Sequence, residues 1–397
     1  MVKQGCSVAI VGAGPVGLVL ALLLRRAGVD CTVLEAQPAI PPELRASTFH
    51  PPTLDMLEGL GLAAPLIAQG LKTPNWQIRW HETGEHALFD LGVLTDETAH
   101  PYRLQAEQQK LCQLLLAAQP GTDTRFGVEV TEVAQDGDGA TLSGPAMAPL
   151  RARFVVGCDG ARSVVRRAAG IGFEGDVYPE TTLLGTTEFP LESLLPGLSN
   201  VNYIWTQSPA FDGTFSLLRV PGRWRLSLYP APGETAEEAM EPPALRRKLA
   251  AIHPGAADAA VGEVRPYRVH KRLAARYREG RLLLAGDAAH LNSPAGGMGM
   301  NGGIHDAFEL AAHLLAVLGG AEPGLLDRYE RRRRPVAEHD IIAQADRNRA
   351  RMRERDPAAR RAALAELQAV CADPSRMRAH LLRSSMIEGL RAAAVRD

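Results

Sequence analysis

Cysteine is scarce in this chain of 397 residues: there are five, an odd number, and they are scattered. No two of them stand at the short spacing that holds zinc or closes a redox disulfide. A disulfide framework and a thiolate metal site are therefore not expected, and the pattern fits a reducing cytoplasm. The five positions are Cys6, Cys31, Cys112, Cys158 and Cys371.

Net charge and long apolar runs are lacking as well. The formal charge at pH 7 is −1, which gives no general attraction to nucleic acid or to an anionic membrane, so we expect neither partner. The longest apolar run, near Val16–Leu24, is far below the length that spans a bilayer. The first strand begins within a few residues of the N-terminus and leaves no room for a secretion signal. We therefore expect a soluble, cytoplasmic protein.

The N-terminal residues have the pattern strand, tight turn, helix. An apolar strand over Ser7–Val11 runs into three glycines and then into an apolar helix. In a dinucleotide-binding turn the first glycine makes the turn, the second leaves room for a pyrophosphate at the helix N-terminus, and the third lets the helix pack close to the sheet. A second strand, Cys31–Leu34, ends in Glu35, where an acid that binds a ribose 2′-hydroxyl is expected. The pattern predicts a nucleotide site, with a simple glycine turn as the alternative; the residues of the turn are Gly12, Gly14, Pro15 and Gly17.

A second candidate ligand region follows the apolar segment Arg281–Ala285. Asp287 stands at the carboxyl end of this predicted strand, where open α/β sheets hold their ligands, and is expected to accept a ribityl or ribose hydroxyl. The glycine-rich loop after it lets a backbone lie flat against a planar ring. The N-terminus of the next helix would stabilise a reduced, anionic flavin, whereas the alternative is a loop before a core helix. The residues concerned are Gly286, Asp287, Pro294, Gly299, Met300 and Asn301.

The pattern of apolar and polar residues changes at three points along the chain. Residues 1–176 are predicted as the first part of an FAD-binding domain with a doubly wound parallel sheet. Alternating segments between Pro-Gly turns predict an antiparallel β-sheet domain over 177–270, which the resemblance named below assigns to the substrate. A buried strand and a long helix return to the first domain over 271–320, and the tail, 321–397, is predicted to be helical. The predicted fold class is therefore α/β, with an added antiparallel sheet and C-terminal helices.

The glycine turn, Asp159-Gly160 and Gly286-Asp287 together resemble the motifs of single-component (class A) FAD-dependent aromatic hydroxylases, the family of para-hydroxybenzoate hydroxylase. The resemblance extends from Val8 to about Pro335. It implies that NADH or NADPH reduces FAD, that O2 then forms a flavin C4a-hydroperoxide, and that the distal oxygen is transferred to a small aromatic or heteroaromatic substrate. It also implies a sheet that roofs the substrate and a C-terminal helix that closes the site.

The resemblance also assigns roles to individual residues. Glu35 would bind the adenosine ribose, Arg45 would contact FAD, and Gln105, at the start of its predicted helix 105–118, would bind the ribityl chain. Asp159, with Arg166 nearby, resembles the motif that FAD and NAD(P)H share. Pro294 matches the proline whose carbonyl faces the reacting edge of the flavin, Asp287 matches the ribityl ligand, and the pyrimidine end of the flavin meets the amides of Gly299, Met300 and Asn301.

The side chains that bind or deprotonate a ring hydroxyl are expected on strands of the sheet domain. Tyr203 and Arg219 are predicted to contact the substrate, with Trp205 and Tyr229 as further candidates. A slip of one residue reverses the face that each side chain takes, so structural roles stay open for all four. His290 either braces its loop or moves protons; no acid or histidine near it in sequence completes a metal set, and no metal is expected.

Two alternatives to hydroxylation remain. An FAD-dependent dehydrogenase or reductase on the same scaffold would insert no oxygen, and a flavin-binding sensor would not turn over. A flavin halogenase is disfavoured because the segment NWQIRW, residues 75–80, does not match a paired-tryptophan motif. With no second glycine fingerprint, NAD(P)H would bind without a dinucleotide fold of its own, as the resemblance implies. The resemblance and the Ala/Arg-rich tail are compatible with a homodimer.

Overall fold

The computed structural model describes residues 5–42, 46–145 and 147–397. Strands and helices alternate in the first part of the chain, strands dominate the middle, and helices form the end. The strands are β1 Gly5–Val11, β2 Cys31–Glu35, β3 Thr48–Phe49, β4 Leu71–Thr73, β5 Asn75–Trp80, β6 His86–Asp90, β7 Arg103–Gln105, β8 Asp123–Phe126, β9 Glu132–Gln135, β10 Ala140–Gly144, β11 Met147–Gly157, β12 Phe173–Thr187, β13 Val201–Trp205, β14 Thr214–Val220, β15 Arg223–Leu228, β16 Arg265–Ala274, β17 Arg278–Glu279, β18 Leu282–Leu284 and β19 His290–Leu291. The helices are α1 Pro15–Arg26, α2 Pro51–Gly59, α3 Ala63–Ile67, α4 Gln108–Ala118, α5 Val164–Ala168, α6 Leu191–Leu194, α7 Ala236–Ala239, α8 Pro242–Ile252, α9 Gly299–Leu318, α10 Leu326–Val336, α11 Ala343–Arg353, α12 Pro357–Ala372, α13 Pro374–Ser384 and α14 Ile387–Ala394.

The first sheet carries the nucleotide motifs. Its strand order is β17-β18-β11-β1-β2-β8, and the strands from β18 to β8 are parallel to their neighbours. Both faces are covered, so these strands are short apolar runs rather than alternating ones. At the carboxyl edge Val11 lies opposite Gly157, and Gly157 lies opposite Leu284. The three motifs therefore leave the sheet side by side.

The second sheet has the order β19-β16-β12-β15-β14-β13-β5-β6. Its pairs are antiparallel except β13 with β5, which is parallel. Side chains alternate between two faces. Phe215 and Leu217 lie on the face that packs against α8, whereas Tyr203 is on the opposite face, where the C-terminal helices pack. The face of Tyr203 is called the inner face below.

A small third sheet and the C-terminal helices complete the fold. Strand β7 pairs with β3 and β4 in a three-stranded sheet, and β3 leads into α2. A π-helical segment, Ala337–Ile342, joins α10 to α11. Met352, Leu364 and Leu381 from the C-terminal helices share one apolar cluster with Trp76 of β5. The tail therefore covers the inner face of the second sheet.

The predicted fold class is confirmed, with one local correction. Residues 75–90, within the predicted first part of the FAD-binding domain, form β5 and β6 of the second sheet. This pairing joins strands far apart in sequence, so no local pattern indicates it. Gln105 ends β7, and the helix predicted over 105–118 begins three residues later, at Gln108. No helix among the described residues combines the length and the apolar character needed to cross a membrane.

Candidate active site

The glycine turn after β1 has the geometry of a phosphate-binding turn. Gly12 has a φ of +104°, which a residue with a side chain rarely adopts. A Cβ on Gly17 would lie 2.0 Å from the carbonyl oxygen of Gly12, so only glycine lets α1 start this close to the strand. A Cβ on Gly14 would meet nothing within 4 Å, and Pro15 opens the helix beside this space. The turn thus leaves an open approach to the N-terminus of α1.

Glu35 holds this turn against the end of β2. Its Oε2 accepts a hydrogen bond from the Ala13 N–H at 2.8 Å, and its Oε1 accepts one from the Gln37 N–H at 2.9 Å. The Gly12 N–H also donates to the Leu34 carbonyl at 2.8 Å. An ionised carboxylate has about four acceptor sites, so these bonds leave capacity for a ribose hydroxyl.

Asp159 and Arg166 connect the second motif to its surroundings. The Oδ2 of Asp159 accepts a hydrogen bond from the Val164 N–H at 2.7 Å, at the start of α5. Its Oδ1 is buried with no partner among the described residues, and burial raises the pKa of this carboxyl group. Arg166 donates to the carbonyl of Ala161 at 2.8 Å and to that of Ala288 at 2.9 Å. Arg166 therefore ties the Asp-Gly motif to the Gly-Asp motif.

A buried ion pair supports the Gly-Asp motif from behind. Asp306 of α9 accepts hydrogen bonds from Arg333 Nε at 2.7 Å, from His290 Nε2 at 2.9 Å and from the Gly286 N–H at 3.1 Å. Burial opposes ionisation of Asp306, but Arg333 and His290 outweigh it and hold its pKa well below the usual range. His290 is fully buried in this contact. Of the two interpretations of His290, the geometry supports the one in which it braces the loop.

Asp287 and Pro294 lie on the open side of this loop. Asp287 is exposed in the 3-10 turn Gly286–Ala288, and burial together with the Asp287 carboxylate raises the pKa of Tyr267. The carbonyl of Pro294 accepts a hydrogen bond from the Gly297 N–H at 3.0 Å. A carbonyl oxygen has two lone pairs, so this bond does not prevent a second contact.

The N-terminus of α9 is anchored by Asn301. The Nδ2 of this fully buried residue donates to the Thr48 carbonyl at 2.8 Å and to the Gly297 carbonyl at 2.7 Å, and its Oδ1 accepts from the His50 N–H at 2.9 Å. Gly299, Met300 and Asn301 form the first turn of the helix, whose N–H groups have no intrahelical acceptor. The Asn301 side chain is thus structural, while the backbone amides of this turn are placed to bind a ligand.

Strand β7 contributes two residues on one face, and the sequence prediction included only one of them. Gln105 is fully buried; its Oε1 accepts from Thr48 Oγ1 at 3.1 Å, and its Nε2 has no partner among the described residues. Arg103, two residues earlier, is 2% exposed and has an unpartnered Nε. The alternation Arg-Leu-Gln, with Leu104 buried in the core, was the available indication that both polar side chains share a face.

The two predicted substrate residues of the second sheet lie on opposite faces. Tyr203 pairs with Ser216, so Arg219, three residues further along β14, points to the other face. Arg219 forms an ion pair with Glu192 at 2.7 Å and is 41% exposed. Burial lowers the pKa of Arg103, and the nearby Tyr203 side chain opposes this change. The Tyr203 ring meets the Trp76 ring edge-on, with centroids 6.1 Å apart. The structure therefore brings Tyr203 to β7 and separates Arg219 from it.

The other two candidates of the sheet contact the C-terminal helices. Trp205 Nε1 donates to the carbonyl of Arg351 at 3.1 Å. Burial raises the pKa of the Tyr229 hydroxyl, and the guanidinium Cζ of Arg353, in α11, lies 5.1 Å from the centroid of its ring. Both contacts are structural ones.

Two histidines near Arg103 are held neutral. Burial, followed by the charge of Arg103, lowers the pKa of His50 well below its usual range. Its Nε2 lies 2.8 Å from the Gly296 carbonyl and so carries the proton, which leaves Nδ1 as an unpartnered acceptor. Burial and the nearby arginines, Arg103 among them, lower the pKa of His380 to about 4. Its ring stacks on Phe89 with centroids 4.6 Å apart.

Arg45, which was predicted to contact FAD, lies outside the described residues. No metal was predicted, and one group of three side chains within the described part of the chain, Asp55, Glu58 and His100, has the spacing to hold an ion. Its His100 Nδ1 is already hydrogen-bonded to Asp55 Oδ1 at 2.8 Å. We assign no role to this group.

The residues around the three motifs fit a flavin dinucleotide. Buried polar atoms are normally hydrogen-bonded, so several buried polar atoms without a partner indicate where a ligand would bind. The open space at Gly14, the N-terminus of α9 and the unpartnered amide of Gln105 are features that could hold phosphates, a ring and a hydroxylated chain. The unpartnered atoms of this region are His50 Nδ1, Trp76 Nε1, Arg103 Nε, Gln105 Nε2 and Asp159 Oδ1.

Comparisons with known proteins agree with this geometry. A family model described as FAD binding domain matches residues 5–343. The para-nitrophenol 4-monooxygenase of Pseudomonas sp. strain WBC-3 is 36% identical, over 97% of this chain and 96% of that protein. The crystal structure of the p-nitrophenol 4-monooxygenase PnpA from Pseudomonas putida DLL-E4 superposes with a TM-score of 0.89 at 34% identity, covering 98% of this chain and 99% of that one. A ternary complex of aklavinone-11 hydroxylase with FAD and aklavinone has a TM-score of 0.73 at 31% identity, covering 87% and 68% of the two chains.

Proposed function

Since this chain belongs to the FAD binding domain family and is a flavoprotein monooxygenase, we propose that it uses NADH or NADPH and O2 to hydroxylate a small phenol. The resemblance to class A aromatic hydroxylases that the motifs indicated is confirmed. The phenol is proposed because two relatives that align over almost the whole chain are named for para-nitrophenol.

One observation carries this proposal: the flavin motifs and a cluster of buried polar and aromatic side chains meet at β7. Gln105 hydrogen-bonds with Thr48, whose carbonyl accepts from Asn301 at the start of α9. Arg103, on the same face of β7, reaches Tyr203 of the second sheet. A ligand bound by Gln105 and α9 would therefore lie next to a second ligand bound against the inner face of that sheet.

FAD, when bound, supplies the redox chemistry, passing electrons from the nicotinamide to O2. The tasks of the protein are to orient the ring of the substrate and to keep water from the site. Tyr203 is proposed to contact the ring hydroxyl, and the Pro294 carbonyl to face the reacting edge of the flavin. The aromatic cluster of Trp76, Phe89 and His380 closes the site towards the C-terminal helices.

The nucleotide co-substrate is proposed to bind without a dinucleotide fold of its own. Among the described residues, the turn Gly12–Gly17 joins a parallel strand directly to the N-terminus of a long helix, and FAD would fill it. Nicotinamide must then approach the open side of the flavin loop, where Asp287 and Pro294 are exposed.

The test is the visible absorption spectrum of the purified protein, followed by rapid anaerobic reduction with NADH and with NADPH in the presence of phenols. We expect bound flavin and a reduction rate that one phenol accelerates. A protein that binds no flavin after reconstitution, or a flavin that neither nucleotide reduces with any phenol, would refute the proposal.

A further inference from the structure

The cluster at β7 contains a buried arginine without a carboxylate partner. Four arginines of the described residues are nearly inaccessible: Arg103 is 2% exposed, Arg166 6%, Arg333 1% and Arg360 3%. A guanidinium removed from water needs hydrogen-bond acceptors to offset its lost hydration. The acceptors of these four therefore show which guanidinium lacks both a carboxylate and a carbonyl partner, although Arg333 also has one unpartnered nitrogen, Nη1.

Three of the four have strong acceptors. Arg333 pairs with Asp306 at 2.7 Å. Arg166 donates to two backbone carbonyls, and Arg360 donates to the carbonyls of Glu354 and Thr206. Arg103 has the Tyr203 hydroxyl and the face of the Trp76 ring, whose centroid is 4.9 Å from its Cζ. Its Nε has no acceptor within the described parts of the chain.

The other groups around Arg103 add no negative charge. His50 and His380 both lose basicity through burial and through the field of Arg103, so each stays neutral at neutral pH. Tyr203 is a phenol. The cation is therefore balanced by the Tyr203 hydroxyl and a ring face alone, in a region that we propose binds an aromatic ring.

We propose that Arg103 is the specificity-determining residue of this cluster and binds the ionised oxygen of a phenolate substrate. This inference rests on the proposed function, because it assigns the charge of the ring that the flavin would hydroxylate. A charge-assisted bond from Arg103 to the phenolate would satisfy the orphaned guanidinium. The phenolate is also the more electron-rich form of the ring, so the same contact selects the substrate and its reactive ionisation state.

The experiment uses para-nitrophenol, whose phenolate is yellow and whose neutral form is nearly colourless. FAD-loaded protein is titrated with it at a pH below the pKa of the free phenol, and both Kd and the yellow band are recorded. We expect the wild type to bind the yellow form. We expect Arg103→Gln to lose the band and to weaken binding by about 10- to 150-fold, the range for a lost hydrogen bond to a charged group.

Three controls separate the charge from other effects. Para-nitroanisole cannot ionise and should bind equally weakly to the wild type and to Arg103→Gln. Arg103→Lys keeps a cation and should retain part of the yellow band. Arg219→Gln removes an arginine from the opposite face of the same sheet and should leave the Kd unchanged within about twofold. The substitution breaks only an exposed ion pair with Glu192, and such pairs contribute little to stability.

Several results would overturn the inference. They are wild-type binding of the neutral phenol, equal affinity for para-nitroanisole, and Arg103-dependent binding of para-nitrobenzoate but not of the phenolate. The wild-type measurements can refute the inference even if Arg103→Gln fails to hold FAD, and Arg103→Lys then tests the assignment to this residue. Failure of the proposed function is distinct: the phenolate would then bind through Arg103, but no hydroxylated product would form.

Discussion

The buried pair of Asp306 and Arg333 is expected to be among the most sensitive points of the fold. Asp306 is fully buried and Arg333 is 1% exposed. Asp306→Asn keeps the size of the side chain but leaves the guanidinium in the interior without its counter-charge. We expect the free energy of unfolding to fall by about 3–5 kcal/mol, the range for removing one partner of a buried ion pair.

The assay is urea unfolding followed by tryptophan fluorescence, with Asp327→Asn as the matched control. Asp327 pairs with Arg278 at 2.6 Å, but its side chain is 55% exposed, so its loss should cost less than about 1 kcal/mol. The native pKa of Asp306 lies below its usual range, so its stabilisation is present at neutral pH and is lost as the pH falls through that lowered pKa. The difference between wild type and Asp306→Asn should therefore shrink in acid. Equal, small losses in the two variants would refute the reasoning.

Three further outcomes follow from the site. Gly17→Ala places a Cβ 2.0 Å from the Gly12 carbonyl oxygen and should leave purified protein with little flavin per chain, measured by absorption. The control Gly59→Ala, at the end of α2, meets nothing within 4 Å and should keep its flavin. Glu35→Gln weakens the bonds to the glycine turn and should raise the Kd for FAD roughly tenfold in titrations of apoprotein, and an unchanged Kd would contradict this role. Wild type should lose thermal stability as the pH falls from 6.5 towards about 4, because His380 becomes protonated in the unfolded chain at a higher pH than in the folded protein. His380→Phe should flatten this part of the pH profile of the melting temperature.

Local patterns were enough to predict the flavin motifs. Strand, turn and helix are adjacent in sequence at Gly12–Gly17, and Glu35 ends the next strand, so spacing alone indicated their contact. The conformations and close approaches now seen at Gly12 and Gly17 are those that made glycine necessary. The order of the three motifs also predicted the parallel sheet.

The substrate side could not be predicted in the same way. Strand β7 has three residues, and it is defined by pairing with β3 and β4, which are distant in sequence. The sequence therefore did not show that Arg103 lies beside Gln105 and opposite Tyr203. Arg219 was a candidate because alternation alone does not say which face is inner; its pairing register settles that question.

The pairing of Asp306 with His290 and Arg333 was equally hidden, because its members come from three separate elements. The arginine run 331–334 contains one residue that is almost completely buried, a position that composition could not distinguish from its solvated neighbours.

A phenol hydroxylase inserts one oxygen atom of O2 into the ring of its substrate. The most direct measurement is mass spectrometry of the product formed by FAD-loaded protein with para-nitrophenol, NADH or NADPH, and isotopically labelled dioxygen. We expect a product that carries one labelled oxygen atom on the ring. Oxidation of the nucleotide with no label in any aromatic product, across a panel of phenols, would contradict hydroxylation and favour an oxidase or a reductase on the same scaffold.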